Sequence, residues 1–178
     1  MTYTRPNGKR RVVVTGGAMI SALGRDWESA LAKLKTGKNC IRYMPEWERY
    51  TKMNTRLACP YDGELPSFPR KKIRGMGRVA MLSLVSTNEA LDDAGLLNED
   101  KSDVIDELKS GNTGIAYGTC MGSMDAIGDL AKMVETGDSS HLNSQTYIKA
   151  MPQTNACNLS VFYLIRGRVI VTDAVCTS

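Results

Sequence analysis

The segment Val169-Ile170-Val171-Thr172-Asp173-Ala174-Val175-Cys176-Thr177-Ser178 changes character halfway along. Its first four residues are all β-branched, stiff at χ1 and suited to a pleated strand. From Asp173 onward, mostly short side chains gather around Cys176. A strand running into such a turn sets a nucleophile at the C-terminal edge of a parallel sheet, the edge where α/β proteins form their sites. Backbone N–H groups there, with the positive end of a following helix, favour a thiolate. The sequence stops at Ser178, before any such helix. The residues alone leave Cys176 open between a structural thiol and a nucleophile.

The preceding segments alternate in the same way. Residues 152–163 predict a helix that starts at Pro152, buries Ala156, Leu159 and Tyr163, and is closed by Gly167. Residues 124–135 predict another, burying Ile127, Leu130, Ala131 and Val134. Residues 112–118 (NTGIAYG) read as a strand, followed by a small-residue loop over 118–123. The longest helix is expected over 70–93, with Ile73, Met76, Ala80, Leu84 and Leu91 on one face and Gly95 as its stop. Residues 38–69 hold four prolines and read as irregular, with a short strand over 56–59. Asp26 is the expected N-cap of a helix closed by Gly37. Arg11-Val12-Val13-Val14-Thr15 reads as a strand buried on both faces. Strands alternating with helices give an α/β fold with a mixed, largely parallel sheet flanked by helices.

Composition narrows the function classes. Apolar residues at 42% and charged residues at 24% describe a globular domain. No apolar run approaches the roughly 18 residues of a membrane helix, and the apolar stretch near the start is too short for a secretory signal. A cytoplasmic protein without membrane insertion is therefore expected. A net charge of +4 gives no case for nucleic acid. Five cysteines, at 40, 59, 120, 157 and 176, include no CxxC pair and share the chain with a single histidine, His141. That disfavours a zinc site, and the four besides Cys176 read as free, mostly buried thiols. The strand-then-glycine opening is no dinucleotide fingerprint, because Ala18 and Ser21 stand where GxGxxG needs glycine, and Ile20 where the short-chain variant does.

Four stretches resemble, in order and spacing, the elongating β-ketoacyl-acyl-carrier-protein synthases of the thiolase superfamily. They are RRVVVTGGAMISALG (10–24), RKKIRGMGRVAMLSLVSTNEALDDAGL (70–96), GIAYGTCMGS (114–123) and IRGRVIVTDAVCTS (165–178). The NTRLACP and RGMGRV stretches are most similar to the ketosynthases of aryl-polyene pathways. The resemblance implies a thiolase-like fold in which residues 1–178 form the N-terminal half, the C-terminal half lying outside this chain.

It also implies roles. Cys176, in the CTS motif, would be the acyl-accepting nucleophile. Met121 would stand where the family has a large apolar residue gating the acyl pocket; plain core packing is the alternative. Arg70, Lys71, Lys72 and Arg74 would dock the acidic acyl carrier protein, or else form a solvated basic face. The reaction would be acyl transfer to cysteine, then decarboxylative condensation with a malonyl carrier protein, with no cofactor or metal. Pairing with an identical or related ketosynthase subunit is implied. The rival readings are a non-catalytic partner resembling a chain-length factor and an acyl-CoA-degrading thiolase. Two departures from the family pattern precede the nucleophile: Asp173, whose charge opposes a thiolate, and Val175, which adds bulk. The family's catalytic histidines (or histidine and asparagine) and lysine come from the other half. His141 matches none of them and reads as a surface residue.

Overall fold

The computed structural model describes residues 8–178. In chain order it contains helix α1 (Trp27–Lys35), strands β1 (Arg42–Tyr43) and β2 (Leu57–Ala58), and helices α2 (Arg70–Ile73), α3 (Arg78–Asp93) and α4 (Asp106–Lys109). Strand β3 (Ile115–Gly118), helices α5 (Met124–Thr136), α6 (Ser144–Ala150) and α7 (Thr154–Tyr163), and strand β4 (Val169–Thr172) follow. The expected mixed sheet takes the form of two separate pairs. β1 and β2 are antiparallel, Arg42 opposite Ala58, whereas β3 and β4 are parallel, Ile115 opposite Val169 and Gly118 opposite Thr172.

Helix α7 is the hub that holds the parallel pair. It packs on both β3 and β4 and, on its other sides, against α2, α3 and α6. Its Ala156, Leu159 and Tyr163 are buried as the sequence predicts, and Leu159 and Tyr163 meet Met76, Ala80 and Leu84 of the α3 region in one core with Val104 and Phe162. Each of the larger aliphatic and Phe side chains there contributes about 1.5–3 kcal/mol by leaving water. Phe162 is gripped edge-on by Phe68 at 5.6 Å and Tyr163 at 4.8 Å. The helix ends at Leu164, in the left-handed region at φ 56°, with Ile165 N donating to Ser160 O at 3.0 Å. That stop comes before the expected Gly167. At the other end α7 begins at Thr154 rather than Pro152.

The sequence expectation of one helix over 70–93 is corrected. α2 and α3 are separate, with Arg74-Gly75-Met76-Gly77 between them. Two glycines in four residues carry the helix-interior penalty of about 1 kcal/mol each. Gly77 also abuts the Ser123 side chain so closely that no Cβ fits. The buried face nevertheless survives the break, because Met76, Ala80 and Leu84 still stack along one side.

Residues 11–15 join neither sheet, and Val12, Val13 and Val14 stand 87%, 63% and 93% exposed. A strand buried on both faces needs a pairing edge and a layer on each side. The described residues supply neither to this segment. Helix α5 buries Ala126 and half-buries Ile127, Leu130 and Met133, while Ala131 and Val134 face outward. Among the helices α5 packs against α6, so its covered stripe is narrower than the periodicity suggested. The thiols are free as expected but not buried: Cys40 is half-buried, and Cys59, Cys120, Cys157 and Cys176 are exposed. Asp26 caps α1 by accepting from Ser29 N at 2.7 Å, and Gly37 follows the helix at φ 67°. No helix among the described residues is long and apolar enough to cross a membrane.

Candidate active site

Because β3 and β4 are parallel, the loops that leave them emerge at the same edge. Thr119 N donates to Thr172 O at 3.1 Å, which extends the ladder one bond past the strands. Beyond it run residues 119–123 on one side and 173–178 on the other. The far end of the second loop turns back onto the start of the first, where Ser178 Oγ donates to Thr119 O at 3.4 Å and Gly118 lies against the Ser178 carbonyl.

The turn after β4 is tight. Residues Val175–Thr177 form one 3₁₀ turn, closed by Thr177 N to Ala174 O at 3.0 Å and Ser178 N to Val175 O at 3.3 Å, with Thr177 Oγ1 also donating to Ala174 O at 2.7 Å. Cys176 sits at its centre, exposed. Val175 adopts φ 54°, a left-handed conformation that costs an L-residue roughly 1–2 kcal/mol and is an outlier for a β-branched one. The expected crowding by its side chain is corrected, since Val175 is 68% exposed. The departure is felt in the backbone. Asp173 is exposed as well.

Met121 stands 45% exposed at the same edge, not packed in the core. Its loop is braced by Thr119, whose Oγ1 donates to Met121 O at 3.0 Å and accepts from Met121 N at 3.3 Å. Next along, Ser123 is buried, its N donating to Lys149 O at 2.9 Å and its Oγ accepting from Val79 N at 3.3 Å. Ser123 thereby caps α3 from another part of the chain, since Gly77 offers no side chain there.

The structure thus brings the Cys176 turn and the Met121 loop together, and holds the His141 ring against α5. His141 is half-buried, where the sequence reading had it on the surface, and its Nε2–H donates to Asp129 O at 3.0 Å. The basic residues Arg70, Lys71, Lys72 and Arg74 are exposed on α2 and its cap. Three of them divide between two places: Lys72 Nζ lies 5.0 Å from the Phe162 ring centroid, while Arg70 and Arg74 line a groove shared with α6. Lys149 of α6 lines that groove too and was missed, because nothing in the sequence signals proximity between residues so far apart.

Residues 9–178 match the family model described as "Beta-ketoacyl synthase, N-terminal domain". The chain belongs to the β-ketoacyl synthase family. Its relatives in this family include the 3-oxoacyl-[acyl-carrier-protein] synthase 1 of Haemophilus influenzae, 37% identical over 64% of this chain and 26% of that protein. Nodulation protein E of Rhizobium meliloti is 27% identical over 95% of this chain and 40% of its own length. Among solved structures, a β-ketoacyl synthase from Burkholderia phymatum superposes with a TM-score of 0.82 at 38% identity, covering 90% of this chain and 38% of that one. The ishigamide ketosynthase/chain length factor shares the fold, with a TM-score of 0.65 at 23% identity. The chain spans about 40% of the length of the curated family relatives that it matches along nearly its whole length.

Proposed function

We propose that this chain supplies the nucleophile of an acyl-transferring condensing enzyme, a 3-oxoacyl-acyl-carrier-protein synthase. The observation that carries the reading is Cys176, exposed on a strained turn at the C-terminal edge of the β3–β4 pair, a turn whose last residue, Ser178, touches the start of the Met121 loop. In the first stage the Cys176 thiolate attacks the thioester carbonyl of an acyl carrier protein. A new C–S bond forms, the carrier's thiol leaves, and the acyl group is held as a thioester of the enzyme. Backbone N–H groups of the turn, that of Cys176 among them, would receive the developing oxyanion. Met121 would border the acyl chain, and the basic start of α2 would receive the carrier.

In the second stage a malonyl carrier thioester loses CO₂. Its carbanion attacks the acyl thioester, and the Cys176 thiolate is released with a chain longer by the two-carbon unit. The groups that promote decarboxylation are assigned to the complete enzyme and not to residues 1–178. Pairing with a second ketosynthase subunit, identical or related, fits the exposed Val12 to Val14 stretch. The chain-length-factor alternative is disfavoured by retention of Cys176.

The test is intact-mass analysis of the full-length protein after incubation with an acyl carrier thioester. One acyl group mapped to Cys176, and lost in Cys176→Ala, is the expected result. An unmodified protein would leave only the non-catalytic subunit.

A further inference from the structure

A second cysteine stands at the edge of the sheet where Cys176 does, and the reaction above makes no use of it. Cys120 lies in the loop that follows β3, between Thr119 and Met121. The Cys176 segment is held to that loop at both of its ends. Thr119 N donates to Thr172 O at 3.1 Å, and Thr119 O accepts from Ser178 Oγ at 3.4 Å. Cys176 is in the turn spanned by those two contacts, and Cys120 is the residue next to Thr119. The two loops leave paired strands, which lie about 4.8 Å apart. A disulfide needs Cα atoms about 4.4–6.8 Å apart, so such a pair delivers its loops at the spacing of the bond.

Both ends of the Cys120 loop are fastened. Gly118 packs against Ser178, and Gly122 against the Ala150 carbonyl, so tightly that no Cβ fits at either. Ser123 N is tied to Lys149 O at 2.9 Å. Cys120 is therefore presented at a fixed place beside the turn, with its thiol exposed as that of Cys176 is. Cys40, by contrast, is half-buried and donates to Ala22 O at 3.6 Å. Cys59 follows β2 in the other sheet and Cys157 is on α7, so neither is on the loops that leave β3 and β4.

We propose that Cys120 and Cys176 are a redox pair, which closes a reversible disulfide when the protein meets a peroxide. A nucleophile open to a thioester is open to this smaller electrophile, and an exposed thiolate is the form it oxidises. The Cys176 thiolate attacks one peroxide oxygen. An S–O bond forms, the O–O bond breaks, and hydroxide leaves to be protonated to water. The sulfur is oxidised to a sulfenic acid and the peroxide is reduced. Cys120 then gives up its proton and attacks the Cys176 sulfur. The S–S bond forms, the S–O bond breaks, and the hydroxide leaves with that proton as a second water. Without Cys120 the sulfenic acid goes on to the sulfinic acid, which thiols do not reduce. The disulfide thus keeps the nucleophile in a recoverable form. That consequence rests on the condensing reading above, whereas the bond rests on the placement of the two thiols.

The test uses the full-length protein, treated with hydrogen peroxide, capped with N-ethylmaleimide and digested without reductant. Trypsin puts Cys120, Cys157 and Cys176 on separate peptides, because Lys132, Lys149, Arg166 and Arg168 lie between them. The expected result is a linked pair of peptides carrying Cys120 and Cys176, with both thiols lost to capping and both recovered by dithiothreitol. In Cys120→Ser, Cys176 is expected to end as a sulfinic acid that dithiothreitol does not recover. Cys120→Ala gives the same reading should the serine variant fold poorly, and the wild-type map needs neither. Both thiols still open to capping after peroxide, or Cys176 joined to Cys157, to Cys59 or to a second chain, overturns the proposal. So does a Cys120→Ser protein whose Cys176 is recovered as fully as in wild type.

Acylation separates this proposal from the catalytic one. If the disulfide forms in a protein whose Cys176 is never acylated by an acyl carrier, the pair stands and the synthase reading falls. If reduced Cys176 is acylated and no disulfide forms, the pair falls and the synthase reading stands.

Discussion

A Cβ on Gly118 would stand 2.5 Å from the carbonyl carbon of Ser178 and 2.9 Å from its oxygen. The end of β3 thus touches the end of the Cys176 turn through a residue that has no side chain. Backbone atoms cannot yield as a flexible side chain would, so the turn must move if the contact is filled. Gly118→Ala is expected to leave the core intact, lower global stability by about 1–3 kcal/mol, and change the rate at which Cys176 reacts with iodoacetamide. Alkylation kinetics beside a denaturant titration check both. An unaltered alkylation rate would mean that the contact does not hold the turn.

Val175 offers a second handle on the same turn. At φ 54° its backbone is strained, and its side chain is too exposed to repay the strain by burial. Val175→Gly removes a left-handed penalty of about 1–2 kcal/mol and adds an unfolded-state entropy cost of about 0.5–1 kcal/mol. The net expectation is a protein unchanged or stabilised by up to about 1.5 kcal/mol. The same substitution at Val171, inside β4, should destabilise by at least about 1 kcal/mol. Urea midpoints of the two variants, measured together, decide whether the strain is real.

How far the site was legible follows from how local its signals are. β4 and the Cys176 turn could be read because β-branched residues and short ones follow one another along the chain. The α7 face of Ala156, Leu159 and Tyr163 could be read because its periodicity needs no knowledge of what covers it. Residues 11–15 misled because three valines announce only that the segment is apolar, not whether anything packs on it. The break between α2 and α3 was written in Gly75 and Gly77. A continuous apolar face, Ile73 to Met76 to Ala80, ran straight through it and hid it. Lys149 and Ser123 were not legible at all, since each matters through a neighbour that is distant in sequence.

Ser123 illustrates that last class. Its Oγ accepts from Val79 N at 3.3 Å and so serves α3 where an N-cap side chain would. Loss of a cap costs about 1 kcal/mol, and the part-buried Val79 N–H would be left without its protein partner. Ser123→Ala is expected to destabilise by about 1–2 kcal/mol and to raise hydrogen exchange in the first turn of α3 while α7 stays protected. Uniform exchange across both helices would show that the cap is not local to α3.

Buried Tyr163 and half-buried Tyr117 make the stability of the fold depend on alkaline pH. Burial raises the Tyr163 phenol well above its ordinary value, and the charge of Asp103 pushes it further the same way. Burial also raises Tyr117, with the hydrogen bond from Ser83 opposing it. In the unfolded chain both phenols ionise near pH 10, whereas in the folded chain they keep their protons to higher pH. Above about pH 10 the unfolded state therefore binds fewer protons than the native state, and stability falls as pH rises. The loss approaches 1.36 kcal/mol per pH unit for each such phenol, about RT ln 10, until the folded protein also ionises. Tyr163→Phe should make the decline between about pH 10 and pH 11 shallower by close to that amount. Its cost at neutral pH should stay small for the hydroxyl itself, since the bond from Tyr163 Oη to Asn88 Oδ1 is long at 3.4 Å. Denaturant titrations of both proteins across that range give the slope directly. An equal decline in wild type and Tyr163→Phe would show that Tyr163 ionises in the folded state as freely as in water.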